Sequence, residues 1–409
     1  MLKRISVEHL CSGMFLHEMC GSWLDHPFWR TSFLLEDPKD IARILDSNVR
    51  EVWIDTSKGL DVEAGQSVEE ADAEIERELR PAAAMQSRPK RMAIELEIDQ
   101  AAKICLKAKQ AVTSMFSEAR LGKAVNANDV LPLVEEISAS VMRNPDALIS
   151  MARLKTKDDY TYLHSVAVCA LMLSLSRQLG LDEATTRELG MGGLLHDIGK
   201  MAVPSDVLNK PSSLTDQEFS VMRGHPEAGH RMLREGKGVG EIPLEVCLHH
   251  HEKVDGSGYP HHLKDAEISR YAKMGAVCDV YDAITSNRPY RDGWPPAEAL
   301  RKMAEWRRGH FDETVFQAFV KCVGIYPAGG LVRLASERLA IVLEQSGTSL
   351  LAPVVKVFFS IKSNMRIVPE TVDLARPGAQ DKIASFEDPG KWGIANIDAL
   401  WREFAGKPA

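Results

Sequence analysis

The side chains with the widest chemical reach lie close together in this sequence. His196 and Asp197 stand side by side in the stretch Leu-Leu-His-Asp-Ile-Gly-Lys, Leu194 to Lys200. An adjacent imidazole and carboxylate offer one nitrogen and two oxygens, and a carboxylate can bridge two cations. The pair therefore suits the centre of a dinuclear metal site. A lone His-Asp is more often a surface or capping pair, so the case depends on what surrounds it. Nine of the thirteen histidines fall between His164 and His262, which gathers imidazole ligands into one part of the chain.

Further candidates follow. His164 lies in an apolar helical run with Val166, Ala167, Leu171 and Leu175, where it is either a hydrogen-bonded core histidine or a ligand. His225 sits at a Gly224-His225-Pro226 junction, as a helix cap or loop residue, or as an imidazole aimed into a cavity. His249, His250 and His251 close a helix; consecutive helical residues point about 100° apart, so at most two of them converge unless the helix unwinds. Asp279 and Asp282 are three apart on an apolar helix and share a face. Buried carboxylates need partners, so at least one should be a ligand or bond to one. Gly256 and Gly258 allow close backbone approach, and Tyr259 can stack on a base or bond a phosphate. Arg288 and Arg291 carry guanidinium forks that suit phosphate oxygens; alone they read as a solvated helix end.

These residues need elements to hold them. Residues 129–323 read almost wholly as helix. Thr215 and Glu218 form a capping box, Pro226 and Pro243 suit first turns, Ser269 is an N-cap for the helix with Tyr271 to Thr285, and Pro295-Pro296 opens another. Residues 1–62 mix short apolar runs with glycines and read as a small α/β module. In 63–128, Gln66 to Arg80 is acidic and helical in composition, Pro81 to Lys90 is a linker, and Met92 to Leu121 is an amphipathic helix for packing on the next domain or on a second subunit, the latter implying a homodimer. After Gly324 the pattern turns to partial alternation in Leu331 to Leu343 and Val354 to Ser360. Residues 324–409 thus form a small β-rich extension that ends in a helix. The fold class expected is mainly α, an all-helical core between a small N-terminal α/β module and a small C-terminal β-rich unit.

Composition narrows the functions. A net charge of −8 argues against duplex nucleic acid as a partner. No apolar run is long enough to span a membrane, and Met1 to Glu8 lacks a signal-peptide pattern, so the expected location is the cytoplasm. Seven scattered cysteines without a Cys-x-x-Cys point to reduced thiols.

Taken together, the residues from His164 to Tyr290 resemble the HD-GYP family of phosphodiesterases, a branch of the HD metallohydrolases. The likeness rests on His196-Asp197-Ile198-Gly199-Lys200, His225-Pro226, His250-His251-Glu252, Asp255-Gly256-x-Gly258-Tyr259-Pro260 and Asp279-Val280-Tyr281-Asp282-Ala283, in that order. The first sixty-odd residues resemble an uncharacterised module that often precedes this domain in bacterial proteins. By resemblance, His164, His196, Asp197 and Asp279 hold one divalent metal, and Asp197, His225, His250 and His251 hold a second, with iron or manganese expected. Lys200 would sit beside the substrate phosphate, with Arg288 and Arg291 on the other phosphate or guanine, and Gly256, Gly258 and Tyr259 in the substrate loop. Relatives with a third metal use a Glu where this chain has Tyr160, so a dinuclear centre is expected. His249 and Asp282 match no ligand position and are read as supporting or structural residues.

The implied reaction is hydrolysis of cyclic di-GMP to linear pGpG, with GMP as the alternative end product. Two bridged ions lower the pKa of a bound water from about 15.7 to roughly 7 and supply the attacking hydroxide. Two other readings stand beside it: a non-catalytic receptor or signalling scaffold that binds cyclic di-GMP and protein partners, and an HD hydrolase of another cyclic dinucleotide.

Overall fold

The structure, a computed structural model, describes all of 1–409 except residues 21–27, 29–31, 48, 69, 72–73, 75–76, 78–91, 154–159, 211–213, 287–292 and 407–409. The chain divides into two units, one made of Met1–Pro81 with Arg301–His310, the other of Ala82–Leu300 with Phe311–Ala409.

In the first unit, β1 (Leu2–Ser6), β2 (Phe15–Met19), β3 (Phe33–Leu34), β4 (Glu51–Asp55) and β5 (Gln66–Ser67) form an antiparallel sheet in the order β3-β2-β4-β1-β5. Helix α1 (Pro38–Leu45) is capped by Asp37, whose carboxylate accepts from Lys39 N. Ile5, Leu16, Ile44, Val52 and Ile54 make the core of this unit. Gln66 and Ser67, expected in a helix, pair instead with Arg4 and Lys3 of β1. Local composition there yields to the ladder offered by a neighbouring strand. The described residues among 68–77 are helical, and the linker expected at Pro81 to Lys90 lies outside the described residues. Arg301–His310, expected within the helical domain, groups with the first unit because Lys302 Nζ reaches Glu18 Oε2 at 2.8 Å and lies over the Trp53 ring.

In the second unit, α2 (Ile94–Arg120) is the amphipathic helix expected from its periodicity. Its buried stripe of Ile94, Ile98, Ala101, Ile104, Ala108, Val112 and Phe116 joins the core of its own unit, so the apolar face is covered within the chain. Leu96 and Leu106 are its exposed leucines. The bundle continues with α3 (Ala127–Arg143), α4 (Pro145–Arg153), α5 (Tyr160–Gln178), α6 (Glu183–Leu195), α7 (Ser205–Leu208), α8 (Asp216–Arg223), α9 (His225–Arg234), α10 (Glu241–His249), α11 (Arg270–Thr285), the first turn of α12 (Pro296–His310), whose residues from Arg301 on belong to the first unit, and α13 (Glu313–Val323). The capping box of Thr215 and Glu218 forms reciprocally, and Ser269 Oγ accepts from Ala272 N. Helix α5 is buried nearly all round from Leu163 to Met172, so any polar side chain in that stretch needs an internal partner.

A second antiparallel sheet follows in the order β10-β6-β7-β8-β9, from β6 (Leu331–Leu334), β7 (Arg338–Glu344), β8 (Val354–Ser360), β9 (Met365–Asp373) and β10 (Ile383–Phe386). With α14 (Ile397–Ala405) it contributes Leu339, Ile341, Leu343, Phe358 and Trp401 to the core that α2 enters. Glu344 Oε2 accepts from Ile94 N, which supplies the first turn of α2 with an acceptor that its N-cap, Ala93, lacks. All seven cysteines are free thiols, and all but Cys11 are buried. Among the described residues no helix is long and apolar enough to cross a membrane.

Candidate metal centre

Five segments deliver seven side chains to one buried point. His164 comes from the middle of the apolar helix α5. His196 is the C-cap of α6, and Asp197 follows where the chain tightens into a 3₁₀ turn, Ile198–Ala202. His225 opens α9, with Pro226 next to it in the first turn. His250 is the C-cap of α10 and His251 follows it, and Asp279 projects from α11. His164, His196, Asp197, His225 and His250 are each 1% exposed, which is deep enough that every polar atom must be accounted for.

That accounting orients the rings. His196 Nδ1 donates to Gly193 O at 2.8 Å, His225 Nδ1 to Met222 O at 2.8 Å, and His250 Nδ1 to Cys247 O at 3.0 Å. A carbonyl only accepts, so Nδ1 carries the hydrogen in each. His164 Nδ1 donates to Asp282 Oδ2 at 2.6 Å. Each Nε2 is thereby left with a lone pair, and the lone pairs face one another: His164 Nε2 is 3.2 Å from His196 Nε2, and His225 Nε2 is 3.4 Å from His250 Nε2. Converging lone pairs repel unless a cation lies between them, and an imidazole whose outer nitrogen is tied to a backbone carbonyl or carboxylate is how metal-binding histidines are held.

Asp197 faces both pairs. Its Oδ2 is 3.5 Å from His164 Nε2 and 3.4 Å from His196 Nε2, while its Oδ1 is 3.3 Å from His225 Nε2 and 3.9 Å from His250 Nε2. Oδ1 is buried and has no hydrogen-bond partner, the mark of an acceptor kept for an ion. Asp279 Oδ1 lies 3.0 Å from His164 Nε2, and its Oδ2 lies 3.7 Å from His251 Nδ1. Two groups of donor atoms, each within 4.8 Å of one another, result: His164, His196 and Asp279, and Asp197, His225, His250 and His251. The residues present thus fit divalent ions of the nitrogen- and oxygen-loving kind.

Charge is arranged to match. Burial raises the Asp197 carboxyl, but Lys200 and His196 outweigh it and hold the group well below the usual carboxylate range. Burial likewise opposes ionisation of Asp279, and its bond to His164 together with His251 overrides it. Burial, with His196 and His225 nearby, pushes His250 down to about 3, and burial and His250 push His251 well below its ordinary value. Burial lowers His196, but Asp197 and Asp279 outweigh it and hold the group above its ordinary value. The centre therefore offers ionised carboxylates together with His250 and His251 in the neutral form that metal binding requires.

The remaining expected residues divide. Lys200 Nζ donates to Asp197 Oδ2, which anchors it beside the cluster. His249 turns away, to Glu245 Oε2 at 3.2 Å and His261 Nδ1 at 3.1 Å. Of the three consecutive histidines, the two beyond the helix end are those that converge, because α10 stops at His249. Asp282 supports His164. Tyr259 stacks on the His251 ring at 4.6 Å and 26°. Gly256 adopts φ +83°, and at Gly258 a Cβ would lie 2.3 Å from Lys253 N, so the loop closes against its own start only with glycine there. Arg288 and Arg291 lie outside the described residues, as does the side chain of Tyr160.

Two residues of the site carry a role that the sequence did not disclose. The buried Glu252 carboxylate accepts from His261 N at 2.7 Å and Leu263 N at 3.1 Å and so clasps the ends of the tyrosine loop. Arg223, the last residue of α8, lies over the Tyr259 ring. Its place two residues before His225 was the one available signal.

Residues 137–315 match the HD domain, and residues 2–130 match a domain of unknown function, DUF3391. A cyclic di-GMP phosphodiesterase of Pseudomonas aeruginosa is 55% identical over 406 residues, covering 99% of this chain and 97% of that protein. A cyclic di-GMP phosphodiesterase response regulator of Xanthomonas campestris is 39% identical over 148 residues, 36% of this chain and 39% of that one. A 3′3′-cGAMP-specific phosphodiesterase of Vibrio cholerae is 33% identical over 176 residues, 43% of this chain and 41% of that one.

Proposed function

The chain belongs to the HD-GYP family of cyclic di-GMP phosphodiesterases, and from that membership we propose that it hydrolyses cyclic di-GMP at the histidine and aspartate cluster to linear pGpG. The observation that carries the assignment of residues is the division of Asp197, one oxygen toward His164 and His196, the other toward His225 and His250. A carboxylate so placed would be able to hold an ion on each side. His164, His196, Asp197 and Asp279 would hold one ion, and Asp197, His225, His250 and His251 the other, with iron or manganese the metals that the family resemblance implies.

Divalent ions bound there would polarise the phosphoryl oxygens and acidify a water. The protein's own share is position and charge. Lys200 fixes Asp197 through Oδ2 and adds a positive charge at the cleft. The carbonyl-anchored rings keep their Nε2 atoms aimed without reorganisation, the economy that makes prearranged sites effective. Tyr259, packed on His251 and held by a loop that Glu252 clasps, walls the substrate side. In the net reaction water adds its oxygen to phosphorus, the P–O3′ bond breaks, and the freed 3′ oxygen takes up a proton.

The test is protein purified without oxygen, its metals counted, then incubated with cyclic di-GMP and, separately, 3′3′-cGAMP. Two ions per chain and linear pGpG from cyclic di-GMP are expected, with slower turnover of the hybrid nucleotide. Binding of cyclic di-GMP without hydrolysis by the loaded protein would instead make the chain a receptor. Asp197→Ala removes the bridge and should abolish turnover; full activity of the metal-loaded variant would overturn the residue assignment.

A further inference from the structure

Arg223 ends α8 on the side of the site where Tyr259 stacks over His251. Its guanidinium carbon lies 4.6 Å from the centroid of Phe219 and 5.3 Å from that of Tyr259. The side chain is exposed, and among the described residues it makes no ion pair. The ordinary role for a basic residue here is to complement the negative end of the helix dipole, worth only a few tenths of a kcal/mol at an exposed site. That role does not call for two aromatic rings. Contact with ring faces orders a flexible side chain in advance, while the N–H groups, which lie in the guanidinium plane, stay available at its edge.

A cyclic dinucleotide carries two phosphodiesters, and a metal cluster engages the one being cleaved. The second must be neutralised by protein in a chain whose net charge is −8. Lys200 is anchored to Asp197 beside the phosphate being cleaved, and Arg288 and Arg291, which the resemblance sets on the other phosphate or guanine, lie outside the described residues. A planar, preordered, unpaired guanidinium one stacked ring away from His251 meets that need, since its fork matches two phosphate oxygens. We propose that Arg223 binds substrate by gripping the phosphodiester that is not being cleaved. The proposal rests on the reading of the site as a cyclic dinucleotide phosphodiesterase.

The experiment compares wild type, Arg223→Ala and Arg223→Lys, loaded with Mn²⁺ and matched for metal content. The substrates are cyclic di-GMP and bis(p-nitrophenyl) phosphate, which has one phosphodiester and no second phosphate. Loss of a charged hydrogen-bonding group should raise KM for cyclic di-GMP about tenfold in Arg223→Ala, with kcat much less affected. The ratio of kcat/KM for cyclic di-GMP over the simple ester should fall by a similar factor. Arg223→Lys, which keeps the charge but not the fork, should fall between. An unaltered KM for cyclic di-GMP, or an equal loss on both esters, would overturn the proposal alone. Wild-type protein that cleaves the simple ester but neither hydrolyses nor binds cyclic di-GMP would overturn the functional reading, and this inference with it.

Discussion

Asp282 acts through His164. It accepts the Nδ1 hydrogen at 2.6 Å, and Ser286 Oγ donates to its other oxygen at 3.3 Å, so the imidazole is fixed in orientation and in tautomer, with Nε2 left to the ion. The residue is 2% exposed, which leaves no water to take over the role. Asp282→Ala should therefore weaken metal affinity about 10–100-fold, with turnover restored by excess Mn²⁺, while Asp282→Asn keeps an acceptor and loses less. Competition with a chelator of known affinity measures both. His249 is the natural control, since it sits next to His250 yet bonds to Glu245 and His261. His249→Gln should leave the Mn²⁺ affinity where it was; an equal loss in both variants would mean that Asp282 matters for folding rather than for aiming His164.

Between elements, the 3₁₀ turn after Asp197 packs tightly against helix α9 at Gly199. A Cβ on Gly199 would lie 1.9 Å from His225 O and 2.4 Å from Gly229 N, both backbone atoms that cannot step aside. Gly199→Ala should force the turn carrying Asp197 away from the helix carrying His225. We expect a destabilisation of about 1–3 kcal/mol or more, read by urea denaturation, together with loss of one ion per chain. Gly347→Ala, where a Cβ meets nothing within 4 Å, should stay within about 0.5 kcal/mol of wild type. The helices themselves were legible because caps such as Thr215 and Ser269 and the apolar spacing of α2 are local signals. Which two of His249, His250 and His251 converge was not legible from spacing, since that depends on α10 ending at His249, and only the family resemblance pointed to His250 and His251. Nor was the bond from Asp282 to His164, across 118 residues of sequence, or the contact of Arg223 with Tyr259, because long-range side-chain pairing leaves no periodic trace. Gln66 and Ser67 misled for the converse reason, as strand pairing overrode their local composition.

At the scale of the molecule, the cluster joins segments that begin at His164 in α5 and end at Asp279 in α11, all within the second unit. Buried carboxylates and facing imidazole nitrogens brought this close cost energy until an ion lies among them, so metal and fold are coupled thermodynamically. Only the folded cluster offers all the ligands at once, and an ion present at about 100 times its Kd should add roughly 2.7 kcal/mol to the stability of the structure that holds it. That corresponds to about a hundredfold slowing of amide exchange wherever exchange requires the cluster to open. The slowing should map onto α5, α6, α9, α10 and α11. The strands β1 to β5 of the first unit supply no cluster residue, and their exchange should not respond to Mn²⁺. Hydrogen–deuterium exchange of chelated and Mn²⁺-loaded protein reads both at once. Protection confined to the loops around Tyr259, with the five helices unaffected, would show that the ion is held peripherally and that the seven-residue cluster is not its site.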